Sequence, residues 1–105
     1  MPGAPSRIRL CRVEDVGEGE ALKVEAGGLT VAVFNLWGKF HVTDDACTHG
    51  PGSLSEGFID GENIECNFHQ GVFNICTGAV VLPPCIDPVR TYEVTVEDGV
   101  VYIDG

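Results

Sequence analysis

The sequence predicts an all-β fold in which short antiparallel strands are joined by hairpins. Apolar and polar residues alternate in several segments, and Asp-Gly dipeptides separate pairs of strand-like runs. No segment keeps a 3.6-residue apolar period over three turns, so α-helices are not expected. At 105 residues, the chain is expected to form one domain, residues 1–105, with a core of modest size.

Two patterns of apolar residues predict the strands. Residues 7–12 and 91–97 alternate between apolar and polar side chains, as strands with one buried face do. Residues 29–37, LTVAVFNLW, are apolar on both faces, which indicates a central strand of a sandwich or small barrel. Residues 13–22 contain two glycines that disfavour a stable helix.

Hairpin turns are predicted at Asp60-Gly61 and Asp98-Gly99. The first dipeptide lies between the runs GFI and ENIEC, and the second lies between YEVTVE and VVYID. Asp-Gly is a favoured pair for two-residue hairpin turns, because these turns need positive φ angles. Hairpins should therefore dominate the topology.

The chain is strongly acidic, with 16 Asp and Glu residues, 6 Lys and Arg residues and a formal charge of −10. This charge opposes binding to nucleic acid phosphates and to anionic membranes. It suits a basic protein partner, and it also favours solubility.

The N-terminal residues and the number of cysteines indicate the cellular compartment. Residues 1–6, MPGAPS, lack the pattern of a secretory signal, and the apolar runs are too short to span a bilayer. We therefore expect a cytoplasmic protein without a membrane segment. Five cysteines are an odd number, so a disulfide framework is not expected, and metal binding or burial must account for them.

Four residues form a metal-binding pattern: Cys47, His49, Cys66 and His69. They lie in the segments DACTHGPG and ECNFHQG and read Cys-x-His, sixteen residues, then Cys-x2-His. Thiolate and imidazole ligands suit zinc, iron or copper rather than calcium or magnesium. Each segment supplies one Cys and one His, whereas a zinc finger usually pairs like ligands. The pattern favours a two-iron cluster and leaves a structural zinc site as the alternative.

These segments, with GVF after His69 and TGAVVLPP further on, resemble the Rieske-type ferredoxins of bacterial aromatic ring-hydroxylating dioxygenase systems. The resemblance extends over nearly the whole chain. It implies a Rieske-type antiparallel β-sandwich or barrel with a small cluster-binding subdomain, approximately residues 41–88, made of two ligand loops and a Pro-rich covering loop. It also implies one [2Fe-2S] cluster, with Cys47 and Cys66 on the inner iron and His49 and His69 on the outer, near-surface iron.

The same resemblance implies a one-electron carrier rather than an enzyme. The chain would take electrons from an NAD(P)H-dependent flavin reductase and give them to a terminal aromatic-ring dioxygenase, docking with each transiently as a monomer. Only His41 remains once the cluster is bound, so the two histidines of an oxygenase's mononuclear iron site are lacking. Two alternatives stay open: a small Rieske-type subunit of an assimilatory nitrite reductase, and a zinc-stabilised module without redox function.

A low reduction potential follows from the same comparison. High-potential Rieske proteins of respiratory chains carry an extra cysteine in each ligand loop and hydroxyl groups that donate to the cluster sulfurs. The corresponding positions here are Gly52, Phe68, Gly71 and Phe73. Without these donors the reduced cluster is disfavoured, so we expect a potential near the low end of about −150 to +300 mV.

The remaining cysteines, His41 and the aromatic residues are expected to be structural. Cys11, Cys76 and Cys85 lack partners at ligand spacing and neighbour apolar residues, so buried, inert thiols are expected. Nothing near His41 in the sequence completes a metal or catalytic set. Trp37 and the phenylalanines are expected to pack in the core.

Overall fold

The structure is all β where it describes the chain, as the sequence predicts. It is a computed structural model that describes residues 7–46, 52–67, 71–82 and 87–104. These residues form eleven strands and two 3-10 turns, Val13–Asp15 and Leu54–Glu56, without an α-helix, and no helix among them is long and apolar enough to cross a membrane. The strands are β1 Arg7–Arg12, β2 Ala21–Ala26, β3 Leu29–Leu36, β4 Lys39–Asp44, β5 Phe58–Asp60, β6 Asn63–Glu65, β7 Val72–Asn74, β8 Val80–Leu82, β9 Thr91–Tyr92, β10 Val94–Glu97 and β11 Val100–Asp104.

The strands form three antiparallel sheets. The first has the order β1-β11-β10, and the second has the order β2-β3-β4-β9. These two sheets enclose one hydrophobic core, which includes Leu10, Val31, Val33, Val42, Val101 and Ile103. The third, smaller sheet runs in chain order, β5-β6-β7-β8. In the sequence, β5 and β6 lie between the two predicted ligand loops, and β7 and β8 lie between the second ligand loop and the covering loop.

The central strand predicted from residues 29–37 is β3. It pairs with β2 along one edge and with β4 along the other. Val31 and Val33 pack in the core of the first two sheets, whereas Ala32, Phe34 and Leu36 belong to a second core that includes residues of the small sheet. Because both faces of β3 are buried, the absence of polar alternation in its sequence is explained.

The two predicted hairpins are present, one of them displaced by a residue. Asp98 and Gly99 both have positive φ, 53° and 75°, as a type I′ turn requires. Asp60 instead pairs with the second residue beyond Gly61, so the central turn residues are Gly61 and Glu62. Gly61 supplies the positive φ of 63°, and the requirement for glycine at the first central position determines this register.

Two further turns lack the Asp-Gly signal and were not predicted. Gly27-Gly28 joins β2 to β3, and Trp37-Gly38 joins β3 to β4. Trp37 has a φ of 54°, which is rare for a bulky side chain. The buried side chain of Asn35 holds this turn by accepting a hydrogen bond from Gly38 N at 2.8 Å.

The expectation that the aromatic residues pack in the core is confirmed for Phe34 and Phe73, which are fully buried. It is wrong for Trp37, which is 71% exposed because its turn projects the indole away from both cores. It is also wrong for Phe58, which is 67% exposed on the outer face of the small sheet.

Candidate metal centre

Cys66 is the one predicted ligand that the structure describes. It directly follows β6 and is 1% exposed, without a disulfide partner among the described residues. Its backbone N–H donates to Gly71 O at 2.8 Å, which closes the base of the second predicted ligand loop. Cys47, His49 and His69 lie outside the described residues, so the set of four ligands stays a prediction.

The thiol of Cys66 belongs to the second hydrophobic core. It packs there with Leu54, Ile64, Phe73 and Ile75, each at most 1% exposed. What distinguishes Cys66 from an ordinary buried thiol is its position at the start of the second predicted ligand loop, where it is free to bind a metal from the protein side. Cys66, the one described ligand, therefore fits an iron–sulfur cluster at this edge of the small sheet.

Asp45 holds the two stems of the first predicted ligand loop together. This carboxylate is 3% exposed, and its oxygens accept hydrogen bonds from Ser53 Oγ at 2.5 Å and Ser55 N at 2.9 Å. The backbone adds a bond from Leu54 N to Asp45 O at 2.7 Å and an isolated bridge between residues 46 and 53. Lys23 Nζ lies 4.0 Å from Asp45 Oδ2 and supplies a positive charge.

A side chain of the second ligand segment contacts the first. Asn67 directly follows Cys66, and its Oδ1 accepts a hydrogen bond from Ser53 N at 2.9 Å. Ser53 therefore bonds to Asp45 through its hydroxyl and to Asn67 through its backbone. The two predicted ligand loops are joined at this one residue.

The segment that follows the predicted covering loop is tied to the first loop as well. Asp44 N donates to Arg90 O at 2.9 Å, and the Tyr92 hydroxyl donates to Asp44 Oδ1. Burial, together with the hydrogen bond and negative charge of Asp44, raises the pKa of Tyr92 to about 12. The guanidinium of Arg90 lies over the Tyr92 ring, 4.7 Å from its centre.

Residues 6–93 match the Rieske [2Fe-2S] domain family. The chain belongs to this family. The ferredoxin component of the p-cumate 2,3-dioxygenase system of Pseudomonas putida is 44% identical over 99 residues, which cover 92% of this chain and 84% of that protein.

Two solved structures extend the comparison from sequence to fold. A ferredoxin of Sphingomonas yanoikuyae B1 matches with a TM-score of 0.91 and 46% identity, covering 95% of this chain and 99% of that one. A chain from the complex of reduced oxygenase and oxidized ferredoxin in carbazole 1,9a-dioxygenase matches with a TM-score of 0.89 and 41% identity, covering 97% and 95%.

These matches confirm several expectations from the sequence. The chain is a Rieske-type ferredoxin with a [2Fe-2S] cluster as its cofactor, and it is an electron carrier rather than an oxygenase. They favour this assignment over a nitrite reductase subunit. The sandwich of antiparallel sheets that the resemblance implied is the fold observed.

The other thiols of this Rieske protein differ in their surroundings. Cys11 is buried, as predicted, and burial raises the pKa of its thiol. The prediction of burial is wrong for Cys76, whose turn after β7 leaves it exposed, and Cys85 lies outside the described residues. Cys76 Sγ is 3.8 Å from His41 Nε2, and burial, followed by the charge of Lys39, lowers the pKa of His41. Among the described residues, no group of three or more His, Cys, Asp and Glu is arranged to hold a metal.

The outer face of the small sheet carries an exposed apolar surface beside Cys66. We call it the outer apolar surface, and its exposed residues are Phe58, Val81 and Leu82, with the buried side chain of Val72 beneath them. Phe58 pairs with Glu65, Glu65 with Val72, and Val72 with Leu82, so one row crosses all four strands. Since Glu65 directly precedes Cys66, this row lies at the end of the sheet where the second ligand loop begins.

Sequence reasoning missed Asp45, Asn67 and Tyr92. Asp45 lies two residues before Cys47, and Asn67 directly follows Cys66. A short polar side chain beside a predicted ligand, in a Gly-rich loop with many backbone donors, was the available signal. Tyr92 offered no comparable signal, because its partner Asp44 is 48 residues away.

Proposed function

We propose that this Rieske ferredoxin carries single electrons from an NAD(P)H-dependent flavin reductase to a terminal aromatic-ring dioxygenase. The observation that carries the proposal is the high-coverage similarity to ferredoxin components of dioxygenase systems, together with a buried Cys66 at the predicted cluster position that has no disulfide partner in the described part of the chain. The cluster supplies the one-electron redox step when it is bound. The protein holds it, shields it on one side and presents it to partners.

Four side chains hold the cluster in this proposal: Cys47, His49, Cys66 and His69. The two cysteines bind the iron nearer the core, and the two histidines bind the iron nearer the surface. The deep burial of Cys66 supports the first assignment. Two neutral imidazoles in place of two thiolates make the cluster less negative, so it accepts an electron more readily than an all-cysteine cluster does.

The partners are proteins that bind one after the other through a small, transient interface. A relative in the carbazole 1,9a-dioxygenase system is seen in complex with its oxygenase. By analogy, we propose a terminal oxygenase as the electron acceptor of this chain and a flavin reductase as its donor. A monomer suits such exchange, because one cluster-bearing tip must be free for each partner. The formal charge of −10 favours basic docking surfaces on both.

A reducing compartment is consistent with the cysteines. Cys11, Cys66 and Cys76 are all free thiols in the described structure. Disulfides are rare and free thiols persist where glutathione and thioredoxin are present. We therefore propose a cytoplasmic location.

The first test is low-temperature EPR of the purified protein after dithionite reduction, with iron and zinc assayed on the same sample. An anisotropic signal whose average g lies below that of all-cysteine [2Fe-2S] centres is expected. A protein without this signal and with stoichiometric zinc would establish the zinc-stabilised module instead.

Two variants test the ligand assignment. His69→Ala should abolish the assembled cluster, because the outer iron is left with one imidazole. Cys76→Ala is the matched control, since this exposed thiol lies outside the proposed set, and its iron content and EPR signal should equal those of the wild type. A native spectrum in His69→Ala, or loss of iron in Cys76→Ala, contradicts the assignment.

A further inference from the structure

The two predicted ligand loops are connected by a short polar network outside the ligand set. Its centre is Ser53, which follows the first loop. Ser53 forms an isolated antiparallel bridge with Ala46, which precedes that loop. The hydroxyl of Ser53 donates to Asp45 Oδ2 at 2.5 Å, and its backbone N–H donates to Asn67 Oδ1 at 2.9 Å. Ser53 is therefore hydrogen-bonded to both Asp45 and Asn67.

The two acceptors come from different parts of the chain. Asp45 lies on the stem that enters the first loop, and Asn67 lies on the stem that enters the second, directly after Cys66. The network therefore spans both loops, whereas the backbone bonds of Cys66 and of Asp45 each close a single loop.

Burial makes the Asp45 contact costly to lose. The carboxylate is 3% exposed, and besides Ser53 Oγ it accepts a hydrogen bond from Ser55 N at 2.9 Å. That N–H lies in the first turn of the 3-10 segment and would otherwise need another acceptor. Hydrogen bonds to a charged, buried acceptor are stronger than neutral ones, and breaking one leaves a partly buried donor unpaired.

We propose that Asp45 and Asn67 are positioning residues that fix the separation of the two ligand loops through Ser53. This inference rests on the proposed function, because it assumes that ligands from both loops meet at one cluster. A cluster bound from two loops requires their ligand atoms at set distances, so a connection between the stems keeps the site assembled. Neither residue binds the iron.

The experiment follows cluster loss from the purified holoprotein in the presence of a strong iron chelator, by visible absorbance. Asp45→Ala should accelerate loss about tenfold or more, because two partly buried donors lose their buried acceptor. Asp45→Asn should restore a rate within about threefold of the wild type, because an amide keeps one acceptor oxygen and can donate to Ser53 Oγ. The width of the reduced-cluster EPR signal should increase in Asp45→Ala and recover in Asp45→Asn.

Asn67→Leu gives a second variant that is informative if Asp45→Ala does not fold. It removes only the acceptor for Ser53 N, at an exposed position, and should accelerate loss about fivefold. Asn74→Leu is the matched control. Asn74 Oδ1 likewise accepts backbone N–H groups, from Cys76 at 2.9 Å and Thr77 at 3.1 Å, but in the turn after β7.

Asn74→Leu should lower the melting temperature while leaving the rate of cluster loss within about twofold of the wild type. Cluster loss in Asn67→Leu within twofold of the wild type, or equal acceleration in Asn74→Leu, overturns the positioning role. Failure of the proposed function is distinguishable, because the wild-type protein itself would then lack the mixed-ligand EPR signal.

Discussion

Replacing Phe58 by Ser should weaken docking to the proposed terminal oxygenase partner while leaving the cluster unchanged. Phe58 is 67% exposed on the outer apolar surface, and its cross-strand partner is Glu65, the residue directly before Cys66. Full burial of a Phe side chain contributes about 1.5–3 kcal/mol, so covering the exposed two thirds contributes about 1–2 kcal/mol. At 1.4 kcal/mol per tenfold, the KM of the oxygenase for the ferredoxin should rise about 5- to 30-fold.

We propose the terminal oxygenase as the partner for this surface, which is both apolar and acidic. The groove beside Phe58 is lined by Asp60 and Glu65 as well as by apolar residues. A partner with an apolar side chain flanked by lysines or arginines fits this arrangement. The position of the surface next to Cys66 would also bring the partner close to the cluster, which electron transfer requires.

The assay is steady-state turnover of the oxygenase at increasing ferredoxin concentration, with reductase in excess. Trp37→Ser is the matched control, because this aromatic residue is 71% exposed but lies at the β3–β4 turn, at the other end of β4 from the first ligand loop. The reduced EPR spectrum of both variants should equal that of the wild type. A change in KM below twofold for Phe58→Ser, or an equal rise for Trp37→Ser, would refute the reasoning.

Three further predictions concern stability, ionisation and salt. Gly78→Ala should destabilise the fold by about 2–5 kcal/mol in chemical denaturation, because its φ is +78° and a Cβ would lie 2.1 Å from a backbone carbonyl oxygen. Gly99→Ala is the control: its φ is also positive, +75°, but a Cβ there meets open space, so the substitution should destabilise the fold by only about 1 kcal/mol. In a Tyr102→Phe background, absorbance at 295 nm should show Tyr92 ionising near pH 12; a midpoint near 10 would contradict its bond to Asp44. Since the folded pKa exceeds the unfolded value of 10, the stabilisation is complete below pH 10 and is lost as the pH rises to about 12. Raising the salt concentration from about 0.05 to 0.3 M should increase the KM for the ferredoxin several-fold, because screening weakens its attraction to a basic partner; an unchanged KM would exclude electrostatic steering.

The parts of the fold that depend on local pattern could be predicted from the sequence. The two-sided apolar run of β3 and the Asp98-Gly99 turn both follow from neighbouring residues alone. The exposure of Trp37 could not be predicted, because it depends on a positive φ that the side chain of Asn35 supports through Gly38. The large apolar area of an indole favours burial, whereas the geometry of the β3–β4 turn places the Trp37 side chain in solvent.

The candidate site shows the same division. The spacing of Cys and His residues predicts a ligand set, and the family match supports the cluster that this set would bind. The contacts that hold the loops together join distant residues: Ser53 with Asn67, and Asp44 with Tyr92. Such pairs carry no local pattern, since each partner alone is an ordinary polar residue. The two partners of each pair meet only in the folded chain.

The acidity of the chain acts on two steps of electron transfer at once. Reduction adds a negative charge to a cluster whose protein already carries a formal charge of −10, so the carboxylates disfavour the reduced form. Phe73, buried in the same core as Cys66, brings no hydroxyl that could offset this effect. The same carboxylates attract a basic partner over about one Debye length, ~8 Å at physiological ionic strength. The predicted low potential and the proposed attraction to a basic electron acceptor thus share an electrostatic contribution from the acidic residues, which favours both release of the electron and docking at the acceptor.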